Sequence, residues 1–156
     1  MNSRRQFLLG ATAAATALAL GPALAAPAKP QIEVWKSPSC GCCQGWVEHL
    51  EKNGFEVKVN DVPGPADYRE KFGLAAQYGS CHTAKVGGYV LEGHVPAREI
   101  HRLLKEKPQA LGLAVPGMPV GSPGMEVESG RVDAYEVLLV TKDNRASVYQ
   151  RYAAKA

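Results

Sequence analysis

The sequence predicts a single α/β domain, and two observations favour that class. Short apolar, β-branched runs alternate with stretches whose apolar residues recur at helical spacing, and glycine or proline separates the two kinds of stretch. The chain has 156 residues, and residues 1–25 have the pattern of an export signal. The remaining residues, 26–156, suit one domain with a modest core, so no second domain is expected.

Residues 1–25 carry the features of a secretory signal. Arg4 and Arg5 precede an uncharged run of alanine and leucine, which ends in an Ala-Leu-Ala cleavage pattern at 23–25. The order Ser-Arg-Arg-x-Phe-Leu indicates the twin-arginine export route. Retention as an anchor is the alternative, because the apolar run is long enough to span a bilayer. Cleavage is favoured, since alanine dominates the run and a proline interrupts it.

The charge of the mature chain excludes nucleic acid as a partner. Of 18 basic residues, Arg4 and Arg5 leave with the signal, so 16 remain against 15 acidic residues and the net charge is +1. That balance provides no basic patch for a phosphate backbone. Carboxylates are scattered, without a paired-carboxylate or Ser/His/Asp pattern, so hydrolytic catalysis has no support. No membrane association is expected after signal cleavage.

A strand, a cysteine-rich loop, a helix and a second strand follow the signal. IEVWK (32–36) is short, apolar and β-branched, as a buried strand is. The Asn-Gly pair at 53–54 ends a helix whose inward-facing positions are Cys43, Trp46, Val47 and Leu50. FEVKVN (55–60) alternates with period two and predicts a strand. The helical crossover places this strand parallel to the first.

The next elements complete a recognisable order. PADYREKFG (65–73) begins with proline and ends with glycine, as a short helix does. Two short runs around Gly87-Gly88 predict a hairpin, and PAREIHRLLKEK (96–107) predicts an amphipathic helix. The resulting order, β-α-β-α-β-β-α, is that of a thioredoxin-like sheet.

The last third of the chain predicts a loop and a hairpin. LGLAVPGMPVGSPGMEVESG (111–130) is rich in proline and glycine and carries a repeated Pro-Gly-Met. AYEVLLVT and ASVYQRY flank a polar turn at 142–145 and predict a closing β-hairpin. The predicted fold of residues 26–156 is therefore α/β and thioredoxin-like, with a C-terminal Pro/Gly/Met loop and a closing hairpin.

Four cysteines carry most of the functional information. Cys40, Cys42 and Cys43 lie where the first strand turns into a helix, and Cys81 lies just ahead of the third strand. Unpaired N–H groups in the first turn of a helix favour a thiolate over a thiol. In a thioredoxin-like sheet, the start of the third strand lies beside the first helix's N-terminus. All four sulfur atoms are therefore expected to converge.

The residues leave three interpretations of these thiols open. A structural disulfide is the first, but closing a loop of two or three residues removes little chain entropy. Disulfide exchange is the second, because Cys40 and Cys43 have Cys-x-x-Cys spacing at a helix start. Such oxidoreductases carry a cis-proline ahead of the third strand, whereas this chain has Ser80-Cys81-His82 there.

A thiolate metal site is the third interpretation. Soft sulfur ligands select Cu(I), zinc or iron–sulfur clusters. Zinc sites use Cys-x₂₋₄-Cys pairs, and iron–sulfur sites repeat Cys-x₂-Cys or Cys-x₄-Cys, so the adjacent Cys42 and Cys43 fit both poorly. Neighbouring cysteines are more easily aimed at different ions of a sulfur-bridged cluster. Cu(I) is the leading prediction, with zinc and iron–sulfur as alternatives.

Three segments resemble the CopG family of periplasmic copper-resistance proteins, whose fold is thioredoxin-like. These are SPSCGCCQGWVEHLEKNGFEV, GSCHTAKVGGYVLEGHVPAREIHRLL and GLAVPGMPVGSPGME. The resemblance implies several Cu(I) ions on Cys40, Cys42, Cys43 and Cys81. It also implies a role in copper tolerance, Cu(I)/Cu(II) redox activity, and exchange with periplasmic copper carriers or efflux components. A copper oxidoreductase is therefore one expectation, and a metal-binding protein without turnover is the stronger one.

Other side chains are weaker candidates. Met118 and Met125 are possible Cu(I) ligands, or they fill gaps against the sheet. His82 is expected either to bind Cu(II) or to face water, and His94 is expected at the surface more than in the site. The remaining histidines are predicted to be exposed on helices and a tryptophan to be a core residue one helical turn beyond Cys43; these are His49, His101 and Trp46.

Overall fold

A computed structural model describes residues 28–156, so the predicted signal at 1–25 lies outside the described residues. The strands are β1 (Gln31–Lys36), β2 (Glu56–Asp61), β3 (His82–Val86), β4 (Tyr89–Glu92), β5 (Gly112–Ala114), β6 (Tyr135–Val140) and β7 (Ala146–Tyr152). The helices are α1 (Gly41–Lys52), α2 (Pro65–Lys71) and α3 (Ala97–Glu106), with a 3₁₀ turn at Ala76–Tyr78. No helix in this range has the length and apolar character that crossing a bilayer requires.

One mixed sheet organises the molecule, with strand order β2-β1-β3-β4-β5-β6-β7. Strands β1 and β2 are parallel, as the crossover through α1 predicts. Strand β3 is antiparallel to both β1 and β4, and β3 and β4 form a hairpin through Gly87-Gly88. The order β-α-β-α-β-β-α is thus observed from β1 to α3, while the thioredoxin-like designation stays a prediction.

Helices cover the sheet on both faces. Apolar side chains of α1 and α3 pack on one face of the sheet in a single core that includes Ile32, Val34, Trp46, Leu50, Leu91, Ile100 and Leu103. On the opposite face, α2 approaches Trp35 of β1, whose ring stacks on Tyr68 at 5.1 Å. A smaller cluster on that face contains Leu74, Tyr78, Val90, Ala114 and Val140. Because β1 and β3 are covered on both sides, their ends are held firmly where the cysteines lie.

The prediction that residues 111–130 form a loop throughout is wrong at β5. Strand β5 pairs with β4 in parallel and with β6 antiparallel, so it joins the closing hairpin to the main sheet. Its three residues are too few to show a periodicity in the sequence. Gly112 is required there, because a Cβ atom would lie 1.7 Å from the carbonyl oxygen of Val90. The closing hairpin itself, β6 and β7, is confirmed.

Candidate metal centre

The cysteines meet where β1, β3 and α1 come together. Strand β1 ends at Lys36, which pairs with His82 at the start of β3. Cys81 immediately precedes β3, and the chain leaving β1 reaches Cys40, the N-cap residue of α1, after a tight turn. Cys42 and Cys43 belong to the first turn of α1. Sheet register therefore brings the distant cysteine beside the other three.

The four sulfur atoms form a compact group, all within 4.8 Å of one another. The Sγ atoms of Cys40 and Cys42 are 3.5 Å apart, and those of Cys42 and Cys81 are 3.9 Å apart. The Sγ of Cys43 lies 3.7 Å from the carbonyl oxygen of Cys81. Cys43 is fully buried, whereas the other three reach solvent in part. The structure thus brings together every cysteine that the sequence singles out.

Two of the four cysteines are oxidised in this structure. Cys40 and Cys43 form a disulfide, and Cys42 and Cys81 carry free thiols. Burial raises the pKa of the Cys81 thiol to about 12, and the neighbouring Cys42 adds to the rise. Cys81 is therefore protonated at neutral pH, and any metal that binds it must displace that proton.

Two histidines lie beside Cys81. The expectation that His94 is a surface residue is wrong, and so is the alternative that His82 faces water. His94 is 0% exposed and His82 is 1% exposed. The Nε2 atom of His94 lies 3.1 Å from the Cys81 Sγ, and the Nδ1 atom of His82 lies 3.4 Å from it. Burial lowers the pKa of His82 to about 3 and also lowers the pKa of His94, so both rings are neutral.

A loop containing the second Pro-Gly-Met packs against the first turns of α1. Gly124 and Gly45 approach so closely that a Cβ on Gly45 would lie 3.0 Å from the Gly124 Cα. A Cβ on Gly124 would lie 2.5 Å from the Cys42 carbonyl oxygen. The adjacent Pro123 carbonyl accepts a 2.7 Å hydrogen bond from the Nδ1 of His94. The loop is therefore fixed against both the cysteine helix and the buried histidine.

Trp46 packs against His82 on the core side of the cysteine site. It is fully buried, as predicted for a core residue, and its Nε1 donates a 2.8 Å hydrogen bond to the carbonyl of Val95. Its ring lies against that of His82, with centroids 4.3 Å apart. This contact shields one face of the His82 ring from water.

The remaining candidates are two methionines of the covering loop and two histidines on helices. Met118 is 52% exposed, whereas Met125 is half-buried in the same loop, and their role as ligands stays a prediction. His101 is exposed, as predicted. His49 is half-buried, so its predicted exposure is wrong; its Nε2 accepts a 3.1 Å hydrogen bond from the backbone N–H of Ala97.

Glu92 is a site residue that the sequence analysis missed. It is fully buried, and its carboxylate accepts hydrogen bonds of 2.7 Å from both the Ser80 backbone N–H and the Thr83 hydroxyl. Arg69 of α2 lies 3.3 Å from the same carboxylate. Burial raises the pKa of Glu92 against the opposing effect of these partners. Glu92 thus fixes the backbone immediately before Cys81 from the opposite face of the sheet.

The fold and the site define a class of protein: a mixed α/β domain that gathers four cysteines at the end of a helix, where they can bind a soft metal ion or exchange disulfides. The family model described as a protein of unknown function, DUF411, matches residues 78–125. No curated protein matches this sequence.

Two solved structures are similar over most of the chain. Both are of the copper resistance protein CopG, and they are called Form 1 and Form 2. They are 43% and 44% identical to this chain, each with a TM-score of 0.75, and the match covers 80% of this chain and 98% of theirs. The chain therefore belongs to the family of the copper resistance protein CopG.

Proposed function

We propose that this protein is exported to the periplasm and handles copper there, binding Cu(I) on the thiolates of Cys40, Cys42, Cys43 and Cys81. The observation that carries the proposal is the convergence of the four sulfur atoms within 4.8 Å. The similarity to copper resistance proteins supports copper as the metal. The signal features at 1–25 support export.

The donor set favours Cu(I) over harder ions. Thiolates are soft ligands, and soft ligands favour Cu(I), zinc and iron–sulfur clusters over harder ions. Cys42 and Cys43 are adjacent in the first turn of α1, so their side chains leave the helix in different directions. Such neighbours suit separate ions bridged by shared sulfur atoms, which supports binding of more than one Cu(I). Met118 and Met125 are proposed as weaker thioether ligands from the covering loop.

Copper binding on all four sulfur atoms requires the reduced protein. Opening the Cys40–Cys43 disulfide consumes two electrons and two protons and yields two thiols. Each thiol then loses its proton when it binds Cu(I). The protein is therefore proposed to take up Cu(I) in its reduced form and to store it, transfer it to periplasmic carriers or efflux components, or change its oxidation state.

The test is the ratio of Cu(I) to protein, measured on reduced protein under anaerobic conditions. Cys81→Ser is expected to lose most of the copper, because it removes the one thiolate of the four that lies outside the N-cap and first turn of α1. Ser147→Ala, a change on the distant strand β7, serves as the control and is expected to bind as much copper as the unmodified protein. Full retention of copper by a folded Cys81→Ser variant refutes the four-thiolate site.

A second candidate function is thiol–disulfide exchange, favoured by the disulfide between Cys40 and Cys43. Cys40 is partly exposed and Cys43 is buried, as attacking and resolving thiols are in a dithiol site. Cys42→Ser separates the two functions, because exchange uses only the Cys-x-x-Cys pair whereas the copper site uses Cys42 as well. Thiol–disulfide exchange would be favoured if Cys42→Ser reduced insulin at the same rate as the unmodified protein and also bound the same amount of copper.

A further inference from the structure

A second group of potential ligands lies on the other side of Cys81. The Sγ of Cys81 and one ring nitrogen each of His82 and His94 all lie within 4.8 Å of one another. Ligands around one tetrahedral ion are separated by about 3.5 Å when the metal–sulfur bond is about 2.3 Å and the metal–nitrogen bond about 2.0 Å. The sulfur–nitrogen separations of 3.4 Å and 3.1 Å are close to that value.

His94 is oriented as a metal ligand is. Its Nδ1 lies 2.7 Å from the Pro123 carbonyl, which can only accept, so the nitrogen carries the proton. In the neutral ring, the lone pair then belongs to Nε2, the atom that faces the Cys81 sulfur. Metal-bound histidines commonly donate their other N–H to a backbone carbonyl in this way, which fixes the tautomer and the ring orientation.

His82 is buried without the hydrogen bonds that would otherwise account for its position. Its Nδ1 faces Cys81, and its Nε2 has no hydrogen-bond partner among residues 28–156. A buried nitrogen without a partner costs roughly 1–3 kcal/mol. Packing against Trp46 holds the ring in place, and the Cys81 sulfur is the polar neighbour of Nδ1. The Nδ1 atom is thus placed to share a cation with the Cys81 sulfur, while Nε2 stays without a partner.

We propose that Cys81, His82 and His94 form a one-thiolate, two-imidazole site for a single borderline divalent cation. Imidazole suits Cu(II) and other borderline ions better than a purely thiolate set does, and two imidazoles with one thiolate are a donor set that holds copper in either oxidation state. Cys81 binds the ion as a thiolate, so the thiol proton leaves when the metal binds. The partly exposed Cys81 gives the ion its access to the site.

This site deepens the proposed function, because it shares Cys81 with the Cu(I) thiolates and rests on that function for the choice of copper. The donor geometry itself does not depend on the other three cysteines. A Cu(II) ion held by the histidines would lie next to the group of sulfur atoms that favours Cu(I). The two oxidation states thereby have adjacent but chemically distinct places in one protein.

The experiment uses Co(II), which reports its ligands by absorption and leaves thiols unoxidised. The triple variant Cys40→Ser, Cys42→Ser, Cys43→Ser is expected to bind one Co(II), with thiolate-to-metal charge-transfer bands and the d–d bands of a tetrahedral ion. Adding His94→Gln to the triple variant is expected to weaken Co(II) binding by at least roughly 10- to 100-fold. Adding His101→Gln, on the exposed face of α3, is the control and leaves the titration unchanged.

A folded triple variant that binds no Co(II), or that binds it equally well with His94→Gln, overturns the proposal. Should the triple variant fail to fold, the oxidised unmodified protein is titrated instead, because its disulfide already removes Cys40 and Cys43 as ligands. An identical Co(II) spectrum in oxidised protein carrying His94→Gln then overturns the proposal. Cu(I) titration of the reduced protein tests the four-thiolate function separately, so failure of one site is distinguishable from failure of the other.

Discussion

The contact between Gly124 and α1 gives the most direct test of how the covering loop is held over the cysteines. Gly124 has φ +86°, and a Cβ added there would lie 2.5 Å from the Cys42 carbonyl oxygen and 2.6 Å from the Trp46 backbone nitrogen. Both atoms belong to the backbone of α1, so no side-chain rotation can relieve the overlap. Gly124→Ala must therefore displace either the loop or the first turns of the helix.

The cost has two parts that a matched variant separates. The left-handed backbone costs a residue other than glycine roughly 1–2 kcal/mol. Overpacking of a tight contact adds about 1–3 kcal/mol. Gly130 has φ +71° and nothing within 4 Å of an added Cβ, so Gly130→Ala has the first cost without the second. We expect the free energy of unfolding to fall by about 2–5 kcal/mol in Gly124→Ala and by about 1–2 kcal/mol in Gly130→Ala.

The assay is urea unfolding of the reduced, metal-free protein, with the slope m checked for constancy so that the midpoints report stability alone. Gly124→Ala is also expected to weaken Co(II) binding, because the displaced loop carries the Pro123 carbonyl that orients His94. Gly130→Ala is expected to leave Co(II) binding unchanged. Equal losses of stability in the two variants would show that the loop does not rest on the helix as described.

Two further changes test the buried groups around Cys81. The pKa of His82 lies near 3 in the folded protein against an ordinary value of 6.5, so between these values only the unfolded chain takes up the proton. The stability present above pH 6.5 is therefore lost as the pH falls, by about 1.4 kcal/mol per pH unit for this group. In acid unfolding, the free energy of unfolding should fall less steeply with decreasing pH in His82→Gln than in His101→Gln. Equal slopes in the two variants would contradict the assignment of this pH dependence to His82. Glu92→Ala should lower the free energy of unfolding by about 3–5 kcal/mol, since it leaves the partly buried Arg69 guanidinium and the Ser80 backbone N–H without their carboxylate partner. In urea unfolding, Glu106→Ala, a change at an exposed residue, should lower the free energy of unfolding far less. Similar losses of stability in the two variants would show that Glu92 does not fix the backbone before Cys81.

Most elements of the fold could be predicted from the sequence, because each has its own hydrophobic periodicity or is bounded by residues that start or end an element. Strand β2 alternates, α1 ends at an Asn-Gly pair, and α3 begins after a proline, and the structure has all three within one or two residues of the predicted bounds. Strand β5 could not be found this way. It is specified by its neighbours β4 and β6, not by a pattern within its three residues.

The convergence of the cysteines was predictable from topology, because it needs only the position of β3 beside β1. The burial of His94 was not recognised, although the sequence contains a signal for it. Hairpin partners lie symmetrically about Gly87-Gly88, with Thr83 opposite Glu92. Two residues further from the turn, the same register places Cys81 opposite His94. The hairpin register, counted from the two-residue turn, thus predicts the position of His94 better than the general tendency of histidine to be exposed.

Glu92 was missed for a different reason: its partners come from three separate segments. The carboxylate is buried on the α2 face, where its hydrogen bonds with Ser80, Thr83 and Arg69 depend on the sheet register and on the docking of α2 together. An isolated glutamate at the end of a short strand gives no sign of this.

The disulfide and the metal compete for the same atoms, and this competition links the two donor groups around Cys81. In the oxidised protein, Cys40 and Cys43 are bonded to each other, so the donors proposed above that remain are Cys42, Cys81, the two buried histidines and the weaker candidates Met118 and Met125. In the reduced protein, two more thiolates become available and the donor set shifts toward soft Cu(I). On the proposed function, oxidation would therefore change the kind of ion that the site prefers, in addition to the number that it holds. Since Cys81 belongs to both groups, its replacement should impair both sites, whereas His94→Gln should spare the Cu(I) sites of the reduced protein.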